Sequence, residues 1–235
     1  MLILAFETTA KAGSVALLED SKLLAESYQN TGLTHSQTLM VMAEDMLTAA
    51  GKTMADVTAV AVAEGPGSFT GVRIGVAAAK GLAWGGQISC YGVSTLESMA
   101  LTLGIYQGYV CPVMDARRSQ VYNALFYVNQ SQVERITEDR AIALEDLKTE
   151  LEHLDGPIFL VGDGSLLTHK TLSAQIPELI LPPEHRMHQR ASGVALAAAA
   201  KIAAGETGDG AALAPNYLRL SQAERDRMEK EKNNK

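Results

Sequence analysis

The first third of the chain alternates short apolar runs with clusters of turn-forming residues, a pattern typical of β-strands joined by tight connections. Three antiparallel strands are predicted at residues 2–6, 14–19 and 22–28, because residues 11–13 and 19–21 have the composition of turns. Helical and strand-like stretches then alternate. The predicted elements are a helix at 35–50, a strand at 57–63, a helix at 70–84, a strand at 88–92 and a helix at 95–103.

The same pattern begins again near Tyr109, which indicates an internal duplication. Strands are predicted at 110–114, 120–128 and 132–137, followed by a helix at 144–154, a strand at 158–161 and a helix at 192–204. The two halves also start alike, because the first strand ends in Glu7 and its counterpart ends in Asp115. The sequence therefore predicts an α/β fold of two βββαβα units. The predicted domains are 1–106 and 107–220, with a charged, disordered tail at 221–235.

The most unusual segment is Gly-Pro-Gly-Ser-Phe-Thr-Gly-Val-Arg-Ile-Gly at residues 65–75, between a predicted strand and a predicted helix. Each glycine inside a helix costs about 1 kcal/mol relative to alanine. Packing can offset this cost if the missing side chains let another backbone approach closely. Anion binding at the helix N-terminus remains the alternative. No Gly-Lys-Ser/Thr follows at the spacing of a P-loop, and the glycine spacing is a weak match to a dinucleotide fingerprint.

Two neighbouring helices carry more apolar surface than one core face requires. In helix 35–50, Met40 and Val41 widen a stripe with i, i+3, i+4 spacing, and helix 70–84 contains only two charged residues. Because methionine adapts to more than one partner, we expect an association surface here, in a homodimer or with another chain. The predicted contact residues are Leu39, Met42, Met46, Gly71, Arg73, Ile74, Gly75, Ala78, Ala79 and Leu82.

Charge and composition restrict the function classes. The formal net charge is −7 for the whole chain and −8 without residues 221–235, which argues against binding RNA unaided. The N-terminus has neither a signal-peptide nor a transit-peptide pattern, and no apolar run is long enough to span a membrane. We therefore expect a cytoplasmic protein without a membrane partner.

Four motifs carry a resemblance to known proteins: GPGSFTGVRIG at 65–75, GVST at 92–95, MDARRSQVY at 114–122 and PNYLR at 215–219. The duplicated halves resemble the actin–sugar kinase–heat-shock ATPase superfamily, and the motifs together resemble the bacterial TsaB (YeaZ) family over residues 1 to about 220. The resemblance implies a non-catalytic paralogue of TsaD that acts with TsaD and the ATPase TsaE. Together they support threonylcarbamoyl transfer to the adenosine beside the anticodon of tRNAs reading codons that begin with adenine. Contact with tRNA would then be indirect.

The resemblance also implies where a vestigial nucleotide site would lie. Active members of the superfamily place an acid and hydroxyls for a metal–phosphate at the positions of Glu7, Thr8 and Thr9, with Asp115 as the counterpart. Gly162 and Gly164 lie where the superfamily holds adenosine. The family usually has Asp at the position of Glu7, and Arg117 and Arg118 stand where a phosphate loop favours Gly. We expect no catalytic residue, no metal ligand and no firm cofactor, with ATP or ADP bound only within the complex.

Two simpler interpretations remain open for single residues. Glu7 and Asp115 each fit an acid that satisfies the amides of its own turn. His35 has Leu39 at i+4, so it lacks the second histidine of a metal-binding pair, and we expect it to bond locally at the helix N-terminus. The alternative function is an ATP-dependent small-molecule kinase or ATPase using Glu7, Asp115 and residues 162–164. Nucleotide turnover by the isolated chain distinguishes these possibilities, and a protease has little support.

Overall fold

The computed structural model describes residues 1–103, 107–130 and 132–219. Its first half contains β1 (Leu2–Glu7), β2 (Gly13–Glu19), β3 (Lys22–Gln29), α1 (His35–Ala49), a 3₁₀ turn (Met54–Asp56), β4 (Ala59–Gly65), α2 (Phe69–Gly86), β5 (Ser89–Ser94) and α3 (Thr95–Thr102). The strands form a five-stranded sheet in the order β3-β2-β1-β4-β5. The first three strands are antiparallel, whereas β4 and β5 run parallel to β1.

The second half repeats this topology. It contains β6 (Gly108–Asp115), β7 (Gln120–Asn123), β8 (Phe126–Asn129), β9 (Gln132–Arg135), β10 (Arg140–Ala143), α4 (Leu144–Leu151), β11 (Ile158–Val161), α5 (Ser165–Leu172), β12 (Leu179–Ile180), α6 (Glu184–Met187) and α7 (Ala191–Ala203). Its main path runs β10-β7-β6-β11-β12, with the same strand directions as the first sheet. The duplication inferred from the sequence is therefore present in the backbone.

The strand predicted at 120–128 is divided into β7 and β8. Both pieces pair with β6 in one register, Val113 with Asn123 and Val110 with Phe126, so the interruption falls opposite Pro112. Proline has no backbone N–H to donate to a ladder. Leu125, which is buried, lies outside the two strand segments, and its N–H donates to the Thr137 hydroxyl at 2.8 Å. The hydrophobic periodicity of residues 120–128 does not predict this break, because the break depends on Pro112 in the neighbouring strand.

The helices cover the sheets in layers. Alternate side chains of β1 divide the first sheet into a face covered by α1 and α2 and an opposite face covered by α7. Helices α4 and α5 cover one face of the second sheet, and α3 packs against its other face. The late predicted helix thus packs on the first sheet rather than on the second. The domain division at residue 106 stays a prediction, and the predicted tail lies outside the described residues.

Candidate functional site

The glycines of the 65–75 segment let α2 press against the turn between β1 and β2. A Cβ on Gly67 would collide with the Thr9 carbonyl, and one on Gly71 with the Thr8 carbonyl. A Cβ on Gly75 would collide with the Thr8 hydroxyl. The close backbone approach expected from the sequence is therefore present, and the backbone that approaches belongs to this chain.

Hydrogen bonds fasten the same contact. The Thr8 hydroxyl donates to the Gly71 carbonyl at 2.8 Å, and the Ser68 N–H donates to the Thr9 carbonyl at 2.6 Å. Ser68 also caps α2, because its hydroxyl accepts from the Gly71 N–H at 3.3 Å. The hydroxyl of Thr8 is thus committed to the glycine-rich segment rather than directed at a ligand.

Glu7 is fully buried at the end of β1. Its Oε1 accepts hydrogen bonds from the Thr9 N–H and the Thr9 hydroxyl, both at 2.6 Å, and its Oε2 has no partner among the described residues. Burial raises the pKa of Glu7 from 4.5 to about 7, and the nearby carboxylate of Asp163 contributes in the same direction. Much of the Glu7 population therefore carries a proton near neutral pH.

Asp115 occupies the corresponding place at the end of β6, but it is exposed. Its carboxylate accepts a 2.7 Å bond from the Arg117 N–H, which repeats the i, i+2 bond between Glu7 and Thr9. Arg117, Arg118 and Ser119 all have positive φ, between 55° and 63°. The turn thus keeps a backbone conformation that favours glycine although its residues are not glycine. Both acids satisfy turn amides, as the simpler interpretation proposed.

Gly162 and Gly164 form a tight turn against β6. Gly162 has φ +105°, a Cβ there would collide with the Val113 carbonyl, and the Gly164 N–H donates to that carbonyl at 3.0 Å. Neither glycine lines the neighbouring cleft, whereas Asp163 between them does. The glycines are explained by packing, and Asp163, which the sequence indicated only for the alternative kinase or ATPase function, is the residue of this turn that lines the cleft.

A cleft of about 500 Å³ opens between the β1–β2 turn and the β6–β7 turn. It is lined by Thr9, Ala10, Lys11, Pro66, Gly67, Ser68, Phe69, Thr70, Met114, Asp115, Ala116, Arg117, Tyr122, Asp163, Asn216, Tyr217, Leu218 and Arg219. Within the described residues, no group of three or more His, Cys, Asp or Glu side chains is placed to hold a metal ion. His35 bonds through Nε2 to the Ala10 carbonyl at 2.8 Å, so its partner is the distant β1–β2 turn rather than its own helix.

The predicted association surface is only partly accessible. Leu39, Met42 and Met46 of α1 are buried in the core of the first half, and so are Gly71, Gly75 and Ala79 of α2. The i, i+4 spacing of these small residues lines the inner edge of α2, where it meets the chain's own sheet. Of the ten predicted contact residues, the four that reach the surface are Arg73, Ile74, Ala78 and Leu82.

Other exposed apolar side chains lie on the same two helices. Trp84, the single tryptophan, is 86% exposed near the end of α2, and Val41 and Met40 of α1 are 56% and 45% exposed. Gly81 lies on the outward side of α2, and a Cβ there would meet no atom within 4 Å. Val41 lines a groove between α1 and β3, so we call Met40, Ile74, Ala78, Leu82 and Trp84 the α1–α2 face. Trp84 and Gly81 were absent from the predicted set, although Gly81 follows Ile74 by seven residues and Ala78 by three, which is the spacing of one helix side, and Trp84 follows Gly81 by three.

The described helices include none that is both long and apolar enough to cross a membrane.

Comparisons with known proteins agree with this geometry. A family model described as TsaD, tRNA N6-adenosine threonylcarbamoyltransferase, matches residues 29–226. The tRNA threonylcarbamoyladenosine biosynthesis protein TsaB of Bacillus subtilis is 33% identical over 234 residues, which cover 99% of this chain and 100% of that protein. A Pseudomonas aeruginosa structure, described as an uncharacterized protein with similarity to peptidase YEAZ, superposes with a TM-score of 0.77 at 27% identity. That superposition covers 93% of this chain and 99% of the other.

A more distant likeness concerns the fold alone. Component A of the (R)-2-hydroxyglutaryl-CoA dehydratase of Acidaminococcus fermentans superposes with a TM-score of 0.50 at 12% identity, over 86% of this chain and 99% of that one. With the duplicated sheets, this likeness confirms the predicted actin-like α/β fold. The full-length match to the Bacillus protein and the glycine-rich contact between α2 and the β1–β2 turn lead to one assignment: the chain belongs to the TsaB (YeaZ) family, within the broader group that the TsaD model describes.

Proposed function

We propose that this chain is a non-catalytic subunit of the machinery that makes threonylcarbamoyladenosine in tRNA. The family assignment supports the pathway, since the curated relatives are named as biosynthesis proteins of this modification. The subunit would support transfer of the threonylcarbamoyl group to the adenosine beside the anticodon, in tRNAs that read codons beginning with adenine. Such a role is consistent with work in the cytoplasm.

The observation that carries the proposal is the exposed α1–α2 face. It combines an 86% exposed tryptophan with the half-buried Ile74, Ala78 and Leu82 on the outward half of α2. Exposed apolar patches of this kind mark association sites, and tryptophan is enriched among the residues that dominate binding energy. We propose that a TsaD-type paralogue docks here, with a TsaE-type ATPase as a further member of the complex. In the absence of the paralogue, the same face would join two copies of this chain in a homodimer.

The arrangement of the cleft supports a non-catalytic role. Glu7 is buried with one oxygen committed to Thr9, and the Thr8 hydroxyl is committed to Gly71. In the first half, the groups that would hold a metal–phosphate are therefore used inside the protein, whereas Asp115 is exposed and lines the cleft. We propose that ATP or ADP is bound only within the complex and that tRNA is reached only through the partner.

Gly81→Arg tests this proposal. The substitution adds a long charged side chain to the outward side of α2, where there is open space, and arginine is a better helix former than glycine. The variant should fold and melt no lower than the wild type. Its affinity for the TsaD-type paralogue should fall by at least about 30-fold, corresponding to the 2 kcal/mol of a hot-spot residue. Titration of the paralogue, followed by Trp84 fluorescence and by light scattering, measures the affinity.

Leu166→Arg is the matched control. Leu166 lies on α5 in the other half and is 61% exposed, so the same charge is added to an apolar position away from the α1–α2 face. The control should bind the paralogue like the wild type. Equal affinity of the Gly81→Arg variant and the wild type would show that the partner docks elsewhere.

A further inference from the structure

Both charged residues of α2 hold the C-terminal segment of the chain. Arg73 Nε donates to the Tyr217 hydroxyl at 2.7 Å, and Lys80 Nζ donates to the carbonyls of Leu213 and Ala211 at 2.8 and 3.3 Å. These two side chains are seven residues apart, so their contacts extend over two turns of the helix. Residues 211–219 therefore follow α2 from its middle to its N-terminus.

The segment is also fixed where α2 begins. The Phe69 and Tyr217 rings stack with their centroids 4.6 Å apart, and the Arg73 guanidinium lies 3.8 Å from the centre of the Phe69 ring. The Asn216 N–H donates to the Glu64 carbonyl at 2.7 Å. Aromatic and cation–π contacts at partly exposed sites add to the hydrogen bonds. The stack thus adds to the hydrogen bonds that attach the segment to the first half.

The end of the segment crosses to the second half. Arg219 Nη1 donates to the Ala116 carbonyl at 2.6 Å, in the turn between β6 and β7. The stretch that contains both attachments, residues 216–219, forms one wall of the cleft. One continuous piece of chain therefore connects the N-terminus of α2, the cleft and the β6–β7 turn.

We propose that residues 211–219 act as a strap that couples the surface of α2 to the cleft. When Arg73 and Phe69 hold Tyr217, the strap is seated, the cleft has its wall and the β6–β7 turn is fixed through Ala116. When a change at α2 releases Tyr217, the wall and the turn loosen together. Because such coupling is reciprocal, occupation of the cleft changes the affinity of α2 for a partner by the same factor.

Hydrogen exchange on the isolated full chain tests the strap, with Arg73→Met as the main variant. Methionine keeps much of the aliphatic bulk of arginine and loses both the bond to Tyr217 and the charge over Phe69. We expect backbone exchange to rise about tenfold or more at residues 213–219, the scale of a lost charge-assisted hydrogen bond. It should rise as well at residues 116–120, where the amides of Ala116, Arg117 and Gln120 are bonded within the β6–β7 turn. Exchange in β1 and β4 should stay unchanged.

Two further variants make the result decisive. Tyr217→Phe keeps the ring stack and removes only the hydroxyl, so it should give the same pattern with a smaller rise, and it serves if Arg73→Met fails to fold. Lys170→Met removes one positive charge from the exposed side of α5 and should change neither segment. Faster exchange at 213–219 without a change at 116–120, or no change at either segment, overturns the coupling.

A second arm adds the TsaD-type paralogue and rests on the proposed function. Binding to the α1–α2 face should change exchange at residues 116–120 of the wild-type chain. If the paralogue binds and that exchange is unchanged, the strap proposal fails while the proposed function stands. If the paralogue does not bind, the proposed function fails, and the comparison of isolated variants still decides whether the strap exists.

Discussion

Glu7 combines full burial with an incomplete set of hydrogen bonds. One carboxyl oxygen accepts two bonds from Thr9, and the other has no partner in the described part of the chain. Desolvation raises its pKa from 4.5 to about 7. Between these values the native state binds more protons than the unfolded state, so this residue makes the fold less stable as the pH rises. This loss of stability is complete only above pH 7, where Glu7 is ionised in the native state as well.

Glu7→Gln should remove this pH dependence. Glutamine keeps an oxygen for the Thr9 donors and cannot ionise, so wild type and variant should have similar free energies of unfolding near pH 5. At pH 8 the variant should be more stable by up to about 3 kcal/mol, the equivalent of the pKa shift. Urea unfolding at several pH values between 5 and 8 measures the difference.

Asp163→Asn provides the control for that experiment. It removes the neighbouring carboxylate that contributes to the shift, so the wild-type pH dependence should weaken without disappearing. Identical slopes for wild type and Glu7→Gln would mean that Glu7 is ionised in the native state throughout this range.

At the scale of elements, α2 has two different small-residue faces. Gly71, Gly75 and Ala79 face the β1–β2 turn and the first sheet, whereas Gly81 and Gly85 have open space beyond them. The inner glycines allow close packing that no larger residue permits. Gly81 and Gly85 lower the helix propensity of α2, and no close packing within the described residues offsets that cost. The same residue type therefore has opposite consequences on the two faces.

Alanine substitutions at Gly75 and Gly81 should change the free energy of unfolding in opposite directions. Gly75→Ala should destabilise the fold by about 1–3 kcal/mol, because the new Cβ collides with the Thr8 hydroxyl and presses on Val62. Gly81→Ala should stabilise it by roughly 1 kcal/mol through helix propensity. Urea denaturation of both variants supplies the comparison. A stable Gly75→Ala protein would mean that the β1–β2 turn can move away from α2. The larger Gly75→Leu substitution should disrupt this packing further.

At the scale of the whole molecule, charge opposes direct contact with nucleic acid. The chain carries a formal net charge of −7, and the cleft lining mixes two acids with three basic residues rather than forming a uniform basic surface: Asp115, Asp163, Lys11, Arg117 and Arg219. Phosphate binding depends on many cationic contacts and on the release of counterions. This balance is consistent with access to tRNA through a partner.

The isolated chain should bind tRNA no more tightly than expected for non-specific binding to nucleic acid. We expect a dissociation constant of about 10⁻⁴–10⁻⁶ M or weaker at physiological salt. Filter binding compares the dissociation constants for a tRNA that has the adenosine to be modified and for an unrelated RNA of equal length. A tight complex that is selective for the tRNA would contradict indirect recognition.

Much of the fold follows from local patterns in the sequence. Strands β1, β2 and β3, helix α2 and strand β11 lie within a few residues of their predicted bounds, because periods of 2 and 3.6 residues record which side chains are buried. The repeated start of each half, with an acid after an apolar strand, also revealed the duplication. Short elements such as β12 and α6 were missed, because two to four residues hold too little periodic signal.

The tertiary structure decided what the patterns left open. Apolar residues on α1 and small residues on α2 were visible in the sequence, but only packing shows that Met42 and Gly75 face inward and Trp84 faces outward. Pro112 interrupts a neighbouring strand, and α7 returns to the first sheet, through contacts between residues far apart in the chain. The Arg73–Tyr217 bond joins residues 144 positions apart. A sequence states which side chains avoid water, whereas the identity of the surface that covers each one is settled only when distant segments meet.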